Sequence, residues 1–571
     1  MRQRPLLSLA GCPSSAQVTA VLVLLASLCS AQSPSTKLDV ELGKRIYREG
    51  ILPSGRPLRG LIRGDTPIEG TQLNCATCHR RSGFGSSEGG TLVPPIAGPL
   101  LYQPTLLRQA DLFGRLFEED QPVQFRARML DLPVRPAYTD RTLAIALREG
   151  KDPTGRKLDT VMPRYSLSDD EMADLVAYLK LLASRSAPGV NRSAIHFATV
   201  VTEGVDADKR QVMLDVMEAY FHWKNTDTQG ELQRRGRSPW YKEDFYRAYR
   251  EWVFHVWELR GPKDTWRDQL KAYYQKQPVF ALLSGISAGT WQPVHEFCEQ
   301  AEVPCLFPNT DLPEVSGTDD YSVYFSKGLT GEAEALACYL HDHSHVVDTT
   351  RIVQVYRDIE TSLTPARTLR RALQDFGLAP PHERIIKGAQ HPTLTFWKNL
   401  FQRAQPSLLV AWLDDSDLES LEHAPGPVDA IPHTYLSYSL VKEPSRLKGP
   451  RDKIYLTYPF AVPDQPVPPA NRVRGWLRSR GLTPKYEQIQ FDTYFTLTLV
   501  DYSLARLVEN FSRDYFIETI ERETETSPNP GVFPHLSLGP GQRFASKGCY
   551  IVKLSAQADG GVKTVSDWII P

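Results

Sequence analysis

The order of hydrophobic and polar residues predicts helices in the first third of the chain. Apolar residues recur at helical spacing in four segments, at residues 39–49, 105–118, 141–149 and 169–182. The last segment begins after Ser168, and Glu171 follows three residues later, which is the capping-box pattern of a helix start. Loops rich in Gly, Pro and Arg follow the first segment. We therefore expect an all-α region in this part of the chain.

A polar stretch at residues 184–193 is typical of a linker, and the pattern changes after it. From residue 194 onwards, short apolar runs alternate with helical patterns. This alternation indicates parallel sheets joined by crossover helices. The predicted strands are 195–201, 252–259, 279–283, 303–307, 351–356 and 407–413, and the helices between the first four are 210–223, 265–275 and 290–301.

The composition excludes several classes of protein. The 571 residues exceed what one hydrophobic core holds, and 41% apolar and 23% charged residues is the balance of a globular protein, not of a disordered or fibrous one. Lys and Arg number 66 against 67 Asp and Glu, which gives a net charge of −1. Nucleic acid binding requires an excess of positive charge. We therefore expect no nucleic acid partner.

The first 31 residues have the pattern of an export signal. Arg2 and Arg4 precede an apolar run at residues 18–28, and small residues follow it up to Ala31. The run is too short to span the about 30 Å of a bilayer's hydrocarbon. We expect a signal peptide at 1–31 and a periplasmic mature protein without a transmembrane segment. Residues 9–12 resemble a lipoprotein cleavage box, so lipid anchoring is the less favoured alternative.

The strongest chemical signal is the segment CATCH at residues 75–79, which has the spacing of c-type haem attachment. Two thiols at this spacing reach the two vinyl groups of one haem, and the following imidazole ligates the iron. A redox CxxC pair or half a zinc site would not need His79, and the sequence has no second CxxC for zinc. We therefore expect one covalent haem c, attached to Cys75 and Cys78 and ligated by His79.

The sixth iron ligand is expected to be a methionine, because a thioether suits haem iron in an electron carrier. Met162 lies in a loop and is followed by Pro163, which stiffens the loop. Met172 lies on the apolar stripe of a predicted helix, where a core role is favoured. Met129 lies in a charged stretch and is less well placed. Met162 is the preferred ligand, and Met129, a histidine or an open position remain alternatives.

Residues 39–183 resemble a class I c-type cytochrome domain. The resemblance implies that the first and last helices cross and that His79 and Met162 are the axial ligands. It also implies a periplasmic redox partner, such as a quinoprotein or flavoprotein dehydrogenase that donates electrons. A six-coordinate iron has no vacant position, which favours electron transfer over catalysis. The resemblance rests on Gly43 and Tyr47 in the first helix, on CATCH, and on the segments 149–155, 161–165 and 177–179.

Residues 194–571 resemble a type I periplasmic binding protein, the two-lobed family that includes branched-chain amino-acid receptors. The resemblance is strongest at residues 279–340 and continues at 351–358 and 539–543. It implies a two-lobed α/β fold with parallel sheets, in which a solute lies between the lobes at the carboxyl ends of strands. The tyrosine that the family carries soon after the position of Asp358 is absent, so amino-acid specificity is not predicted.

The first lobe carries the residues expected to bind a solute. Residues 285–290 would place backbone N–H groups and a hydroxyl at a helix N-terminus, which suits a carboxylate or another anion. The next strand-end loop is polar as well, and Trp412, Asp414 and Asp415 end a further strand and are further candidates to line the cleft. An ordinary polar loop is the alternative for each of these positions. The candidates in the first lobe are Ser287, Thr290, Asn309, Thr310 and Asp311.

Four cysteines follow the predicted haem segment. Cys298 and Cys305 lie at the end of a helix and in the next strand, which favours a local disulfide in an oxidising compartment. Cys338 and Cys549 either form a second pair or remain buried thiols.

These features predict a periplasmic monohaem cytochrome that carries electrons and has a fused module for a solute or a partner. The alternative is a haem-containing solute sensor or transport receptor. A serine hydrolase is a minor alternative, since residues 285–289 match G-x-S-x-G between a strand and a helix. The sequence offers Ser287 neither an HGGG-type loop nor a histidine in a telling motif. Enzyme activity is therefore not expected.

Overall fold

The computed structural model describes residues 39–88, 91–106, 134–184, 186–235, 250–316, 320–345, 347–421, 433–441, 444, 447, 453–462, 468–508, 510–529, 531–555 and 561–571. The predicted signal peptide lies outside these residues, and so do Met129 and most of the predicted helix at 105–118. The chain divides into two compact units, Met1–Leu182 and Ala183–Pro571. Within the described ranges, no helix combines the length and the apolar character that crossing a membrane needs.

The first unit combines helices with short strands. The predicted helices at 39–49, 141–149 and 169–182 are confirmed to within one residue, and the capping box of Ser168 and Glu171 is present. The all-α prediction is not confirmed, because small antiparallel sheets accompany the helices. The helices described are α1 Val40–Glu49, α2 Cys75–His79, α3 Gly98–Leu101, α4 Asp140–Glu149 and α5 Asp169–Leu181. The strands are β1 Arg59–Ile62, β2 Thr66–Glu69, β3 Ser86–Glu88, β4 Thr91–Val93, β5 Thr105–Leu106, β6 Val134–Arg135 and β7 Arg164–Tyr165.

Helices α1 and α5 meet at Gly43. A Cβ atom at this position would lie 2.1 Å from the carbonyl oxygen of Asp174, so only glycine allows the two backbones to approach this closely. The rings of Tyr47 and Tyr178 pack together one turn further on, with centroids 5.3 Å apart. The contact between the first and last helices forms the centre of this unit's core.

The second unit contains two sheets, of which the first is parallel throughout. Its strands run in the order β12-β11-β10-β8-β9, with apolar clusters on both faces. Strands covered on both faces need nearly continuous apolar sequences, which is why the apolar runs predicted them. The strands are β8 Ala194–Thr202, β9 Glu251–Leu259, β10 Ala281–Leu283, β11 Cys305–Leu306 and β12 Ser322–Val323. The helices packed on this sheet are α6 Ala207–Arg235, α7 Trp266–Lys276, α8 Gln292–Gln300, α13 Pro468–Ser479, α14 Glu487–Leu507 and α15 Arg513–Thr526.

The second sheet has the order β14-β13-β15-β16-β17-β18-β19, in which the first five strands are parallel and the last two antiparallel. The strands are β13 Ile352–Arg357, β14 His382–Ile386, β15 Leu408–Trp412, β16 His433–Ser437, β17 Ile454–Tyr458, β18 Tyr550–Leu554 and β19 Val562–Thr564. The helices on its two faces are α9 Gly328–Asp342, α10 Glu360–Asp375, α11 Leu394–Ala404 and α12 Asp415–Leu418.

The chain passes between the two sheets three times: after β12, after β17 and after α15. Two of these crossings lie side by side, because Tyr324 pairs with Phe544 and its N–H donates to the carbonyl of Arg543 at 2.8 Å. A buried ion pair between Arg543 and Glu521, 2.8 Å long, fixes one of them. The prediction of a two-lobed α/β fold with parallel sheets is confirmed.

Candidate functional site

Helix α2 carries the two cysteines and the histidine of the CATCH segment. Asn74 starts the helix, because its side-chain oxygen accepts a hydrogen bond from the N–H of Thr77 at 2.7 Å. Cys75 and Cys78 are three residues apart on this helix, which places them on neighbouring positions of one side. Cys75 is buried, whereas Cys78 is exposed.

His79 is 6% exposed, and one nitrogen of its ring forms a hydrogen bond with the backbone. Its Nδ1 lies 2.9 Å from the carbonyl oxygen of Pro94. A carbonyl only accepts hydrogen bonds, so the proton is on Nδ1 and the lone pair is on Nε2. Burial lowers the pKa of His79, against a smaller opposite effect of the Pro94 carbonyl, and keeps the ring neutral. In the part of the chain that the structure describes, no hydrogen bond engages Nε2, so this nitrogen is available as a ligand.

Tyr165 joins the CATCH helix to the loop that contains Met162. Its hydroxyl donates to the carbonyl of Leu73 at 3.3 Å and lies 3.9 Å from the sulfur of Cys75. Burial raises the pKa of Cys75 to about 11. The thiol is therefore protonated at neutral pH, and the environment around it is apolar.

Met162 is half-buried and packs against the same apolar cluster as Cys75. The guanidinium of Arg164 holds the loop around it by donating hydrogen bonds to four backbone carbonyls, those of Met162, Pro163, Leu158 and Asp159. Gly150 leaves the space for this guanidinium, since a Cβ there would overlap it. Met172, by contrast, is 3% exposed on α5 and belongs to the core, as predicted.

In the second unit, the structure brings two of the five predicted solute-binding residues together. The hydroxyl of Ser287 donates to the carbonyl of Gly289 at 2.8 Å and lies 3.0 Å from Thr310 Oγ1. These residues follow β10 and β11, which are adjacent parallel strands. The pair therefore lies at the carboxyl edge of the first sheet, where ligands of such folds bind.

The other three predicted residues form hydrogen bonds with neighbouring groups of the protein. The amide of Asn309 donates to Ser284 Oγ at 3.0 Å and to the carbonyl of Gly285 at 3.1 Å. Thr290 Oγ1 accepts from the N–H of Gln292 at 3.1 Å at the start of α8. Asp311 is exposed, and its carbonyl accepts from the N–H of Leu329 at 3.0 Å.

The predicted anion cradle at residues 285–290 is wrong in part. The N–H groups of Ile286 and Ser287 donate to the carbonyls of Val200 and Asn309, and the N–H of Ala288 donates to Thr202 Oγ1. The reason is that the parallel pairing continues beyond β10, with Ile286 bridging to both neighbouring strands. These three donors are not available to an anion. The prediction for Trp412 is also wrong, because its side chain is fully buried and donates towards Gln354.

The contacts of Ser287 do not support a nucleophilic serine. Its hydroxyl hydrogen bonds, as described, involve a carbonyl and a threonine and include no histidine. A nucleophile elbow holds the serine itself in a strained turn. Here the positive φ angles fall on Ser284 and Gly285. The geometry is that of a strand end and not of an elbow.

Comparison with known families gives a match over the first unit. Residues 69–183 match the family model described as cytochrome c. The chain carries a cytochrome c domain. Among curated proteins, none matches the chain.

Several solved structures resemble the remainder of the chain. A branched-chain amino acid ABC transporter protein from Thermus thermophilus, with bound valine, is 13% identical, covers 67% of this chain and 98% of its own, and has a TM-score of 0.47. A leucine-binding protein from Thermotoga maritima is 12% identical, with 66% and 99% covered and a TM-score of 0.47. A fatty acid ABC transporter substrate-binding protein from Thermomonospora curvata is 15% identical, with 68% and 95% covered and a TM-score of 0.46.

A cytochrome c domain implies covalently bound haem, and the residues of the first unit fit this group. The paired thiols of α2 would be the attachment groups, Nε2 of His79 would be a nitrogen donor, and Met162 would offer a thioether on the same apolar cluster. Within the described residues, no cluster of three or more His, Cys, Asp or Glu side chains could hold a metal ion.

Sequence reasoning missed three residues that shape this site: Pro94, Arg164 and Tyr165. Pro94 and Tyr165 contact residues that are far away along the chain, whereas Arg164 acts within its own loop. Arg164 and Tyr165 could have been found from the sequence, since both follow directly on the Met-Pro pair. In the second unit it missed Glu332, a buried carboxyl on α9 that accepts a hydrogen bond from Thr457 Oγ1 at 2.5 Å. Burial raises the pKa of Glu332 to about 7.

Proposed function

We propose that the protein is exported to the periplasm and carries single electrons through one haem c in its cytochrome domain. The observation that carries this proposal is the state of His79. Its Nδ1 is held by the Pro94 carbonyl, no hydrogen bond within the described residues engages its Nε2, and it directly follows the two cysteines of α2. A buried neutral imidazole next to paired thiols is the donor set that a c-type haem requires.

The chain's own residues provide attachment, ligation and support. Cys75 and Cys78 would form the thioether links, and His79 and Met162 would be the axial ligands. Haem supplies a one-electron couple when bound, and a thioether ligand raises its potential. Pro94 fixes the tautomer and orientation of His79, as outer hydrogen-bond partners of metal-binding histidines do. Arg164 fixes the loop of Met162 through four carbonyls.

The proposed electron donor is a periplasmic dehydrogenase of the quinoprotein or flavoprotein class. Two exposed apolar side chains, Leu61 and Val161, lie close to the Met162 loop. The N–H of Arg63 donates to the carbonyl of Thr160 at 2.8 Å, which brings the β1 segment to this loop. An apolar surface at this position supports short-lived docking of a redox partner, because exposed apolar patches mark contact sites.

The second unit is proposed to bind a small solute or to dock the partner. The hydroxyl pair of Ser287 and Thr310, at the carboxyl ends of two adjacent parallel strands, supports a polar contact to such a ligand. The crossings between its two sheets support a hinge around which the lobes move.

The experiment is to mix the purified, oxidised full-length protein with a reduced quinoprotein dehydrogenase and to follow haem reduction by its absorption. We expect fast reduction that is the same for the wild type and for Ser287→Ala. Absence of reduction by dehydrogenases of both classes contradicts the proposed role. A haem potential that shifts when a solute saturates the second unit supports the sensor alternative instead.

A further inference from the structure

The second unit contains two buried cysteines that lie next to each other, Cys298 and Cys305. Both are fully buried free thiols in the structure, and they belong to the same apolar cluster. Burial raises the pKa of the Cys298 thiol, and the neighbouring Cys305 thiol raises it further. The haem-binding segment belongs to the other unit.

The backbone builds this proximity. Helix α8 ends at Gln300, two residues after Cys298, and the chain turns back at Glu302, which has a φ of 51°. The N–H of Val303 then donates to the carbonyl of Cys298 at 2.9 Å. Cys305 enters β11 in register with Leu282 of β10. The two sulfurs are therefore adjacent because of the turn and the strand pairing, and not because of flexible side chains.

We propose that Cys298 and Cys305 are joined by a disulfide in the exported protein. The inference rests on the proposed export, since an oxidising compartment is what makes such bonds persist. Two S–H bonds break and one S–S bond forms. The electron pair and the two protons pass to the disulfide of a thiol oxidase in that compartment, which becomes a dithiol.

Burial determines when this bond forms. A folded second unit gives an oxidase no access to either sulfur, because both residues are fully covered. Oxidation must therefore precede the final packing of α8 against β11. Once formed, the bond is protected from reductants, which marks it as a structural bond and not a switch.

The bond would stiffen the elements that carry the first-lobe hydroxyl pair. Ser287 lies in the turn before α8, and Thr310 follows β11. A covalent link between the end of α8 and the start of β11 ties these two elements together. The bond closes a short loop, so it lowers the conformational entropy of the unfolded chain only modestly. Its main effect would be to hold the hydroxyl pair in place.

The same chain must keep Cys75 and Cys78 reduced, since thioether attachment consumes thiols. Pairing of Cys298 with Cys305 needs no long-range search, because they are seven residues apart and meet in their own unit. This pairing also removes two thiols that would otherwise be able to form disulfides with Cys75 or Cys78 during export. The remaining cysteines, Cys338 and Cys549, are free thiols in the structure.

The test is peptide mapping of the full-length protein, made with its leader in a host that attaches c-type haem and purified without reductant. The protein is denatured, alkylated and digested with trypsin, which releases residues 277–327 with both cysteines in one peptide. We expect this peptide to be lighter than its reduced form by two hydrogens and to carry no alkyl group. After reduction it should carry two.

Two alkyl groups before reduction, or a cross-link to a peptide with Cys338 or Cys549, would overturn the inference. The matched control is Cys298→Ser, in which Cys305 must carry one alkyl group without reduction. Alkylation takes place in denaturant, so the stability of this variant does not affect the result. The haem content of the same sample tests the proposed function separately, because haem can be present with either state of the peptide.

Discussion

The guanidinium of Arg164 donates a hydrogen bond to the carbonyl of Met162, and it reaches the carbonyls of Leu158 and Asp159 at 3.1 and 3.2 Å. It also donates to the carbonyl of Pro163 at 3.5 Å, so that one side chain fixes the backbone on both sides of the proposed axial ligand. The cavity for the guanidinium exists because residue 150 is a glycine. The position of the Met162 sulfur therefore depends on a residue that would not itself touch the iron.

Replacement of Arg164 tests this dependence. Arg164→Gln removes charge-assisted hydrogen bonds, each of which contributes about 1.5–3 kcal/mol. We expect the methionine of the oxidised protein to detach at lower temperature, with at least about a tenfold change in the ligation equilibrium. The measurement is the weak far-red absorption of Met-ligated ferric haem. Arg59→Gln, which breaks an exposed ion pair with Glu69, is the control and should leave the band unchanged.

The identity of the sixth ligand is tested by methionine replacement. Met162→Ala should abolish the far-red band and lower the reduction potential by on the order of a tenth of a volt, within the about 0.8 V that axial ligands span. Met172→Leu, in the core of α5, should keep both properties. Met129→Leu should also keep them. Loss of the band in Met129→Leu but not in Met162→Ala would assign the ligand to Met129.

Two glycine replacements with opposite expected effects on stability test the helix contact in the cytochrome domain. Gly43→Ala places a Cβ against the carbonyl of Asp174, and overpacking of this kind costs about 1–3 kcal/mol. We expect a lower thermal midpoint and less haem incorporated per chain. Gly475→Ala is the control, because it lies within helix α13 with open space around it. There alanine should stabilise the helix by up to about 1 kcal/mol. Equal effects of the two replacements would contradict the close contact at Gly43.

The buried carboxyl of Glu332 predicts a pH dependence of stability. Burial raises its pKa to about 7, above the value of an unfolded chain, and the exposed carboxylate of Asp311 adds a smaller effect in the same direction. The folded state therefore keeps a proton that the unfolded state loses. At low pH, where Glu332 is protonated in both states, its raised pKa does not reduce the free energy of unfolding. As the pH rises towards 7, the loss in free energy of unfolding grows and reaches about 3 kcal/mol.

Glu332→Gln removes this titration. We expect the thermal midpoint of the variant to rise relative to the wild type between about pH 5 and pH 8, as the linkage between protonation and stability requires. Glu334→Gln on the same helix is the control, since Glu334 forms an ion pair with Lys327 and is more accessible. Its difference from the wild type should be constant over this range. A constant difference for Glu332→Gln as well would contradict the buried, protonated state.

Most of the correct sequence predictions depend on local patterns of neighbouring residues. The capping box at Ser168 and the apolar runs of β8 and β9 depend on neighbouring residues, and the structure has them within one or two residues of the predicted bounds. The same holds for the CATCH segment, where attachment chemistry requires a fixed local spacing. Helix α6 is longer than predicted, because its second half is polar and left no apolar period.

Non-local contacts were not predictable. The partner of His79 is a proline carbonyl fifteen residues away, brought there by the hairpin of β3 and β4. The N–H groups near Ser287 appeared available for an anion, and only the strand pairing of Ile286 shows that they are used. The burial of Glu332 follows from packing against β17, a strand more than one hundred residues later.

The measurement that tests the central claim most directly is the mass of the full-length protein after export, under denaturing conditions that remove any haem that is not covalently bound. The account predicts the mature chain plus one haem, lost entirely in a variant with both Cys75→Ala and Cys78→Ala. A mature protein with the mass of the bare polypeptide, made where haem attachment operates, would contradict it.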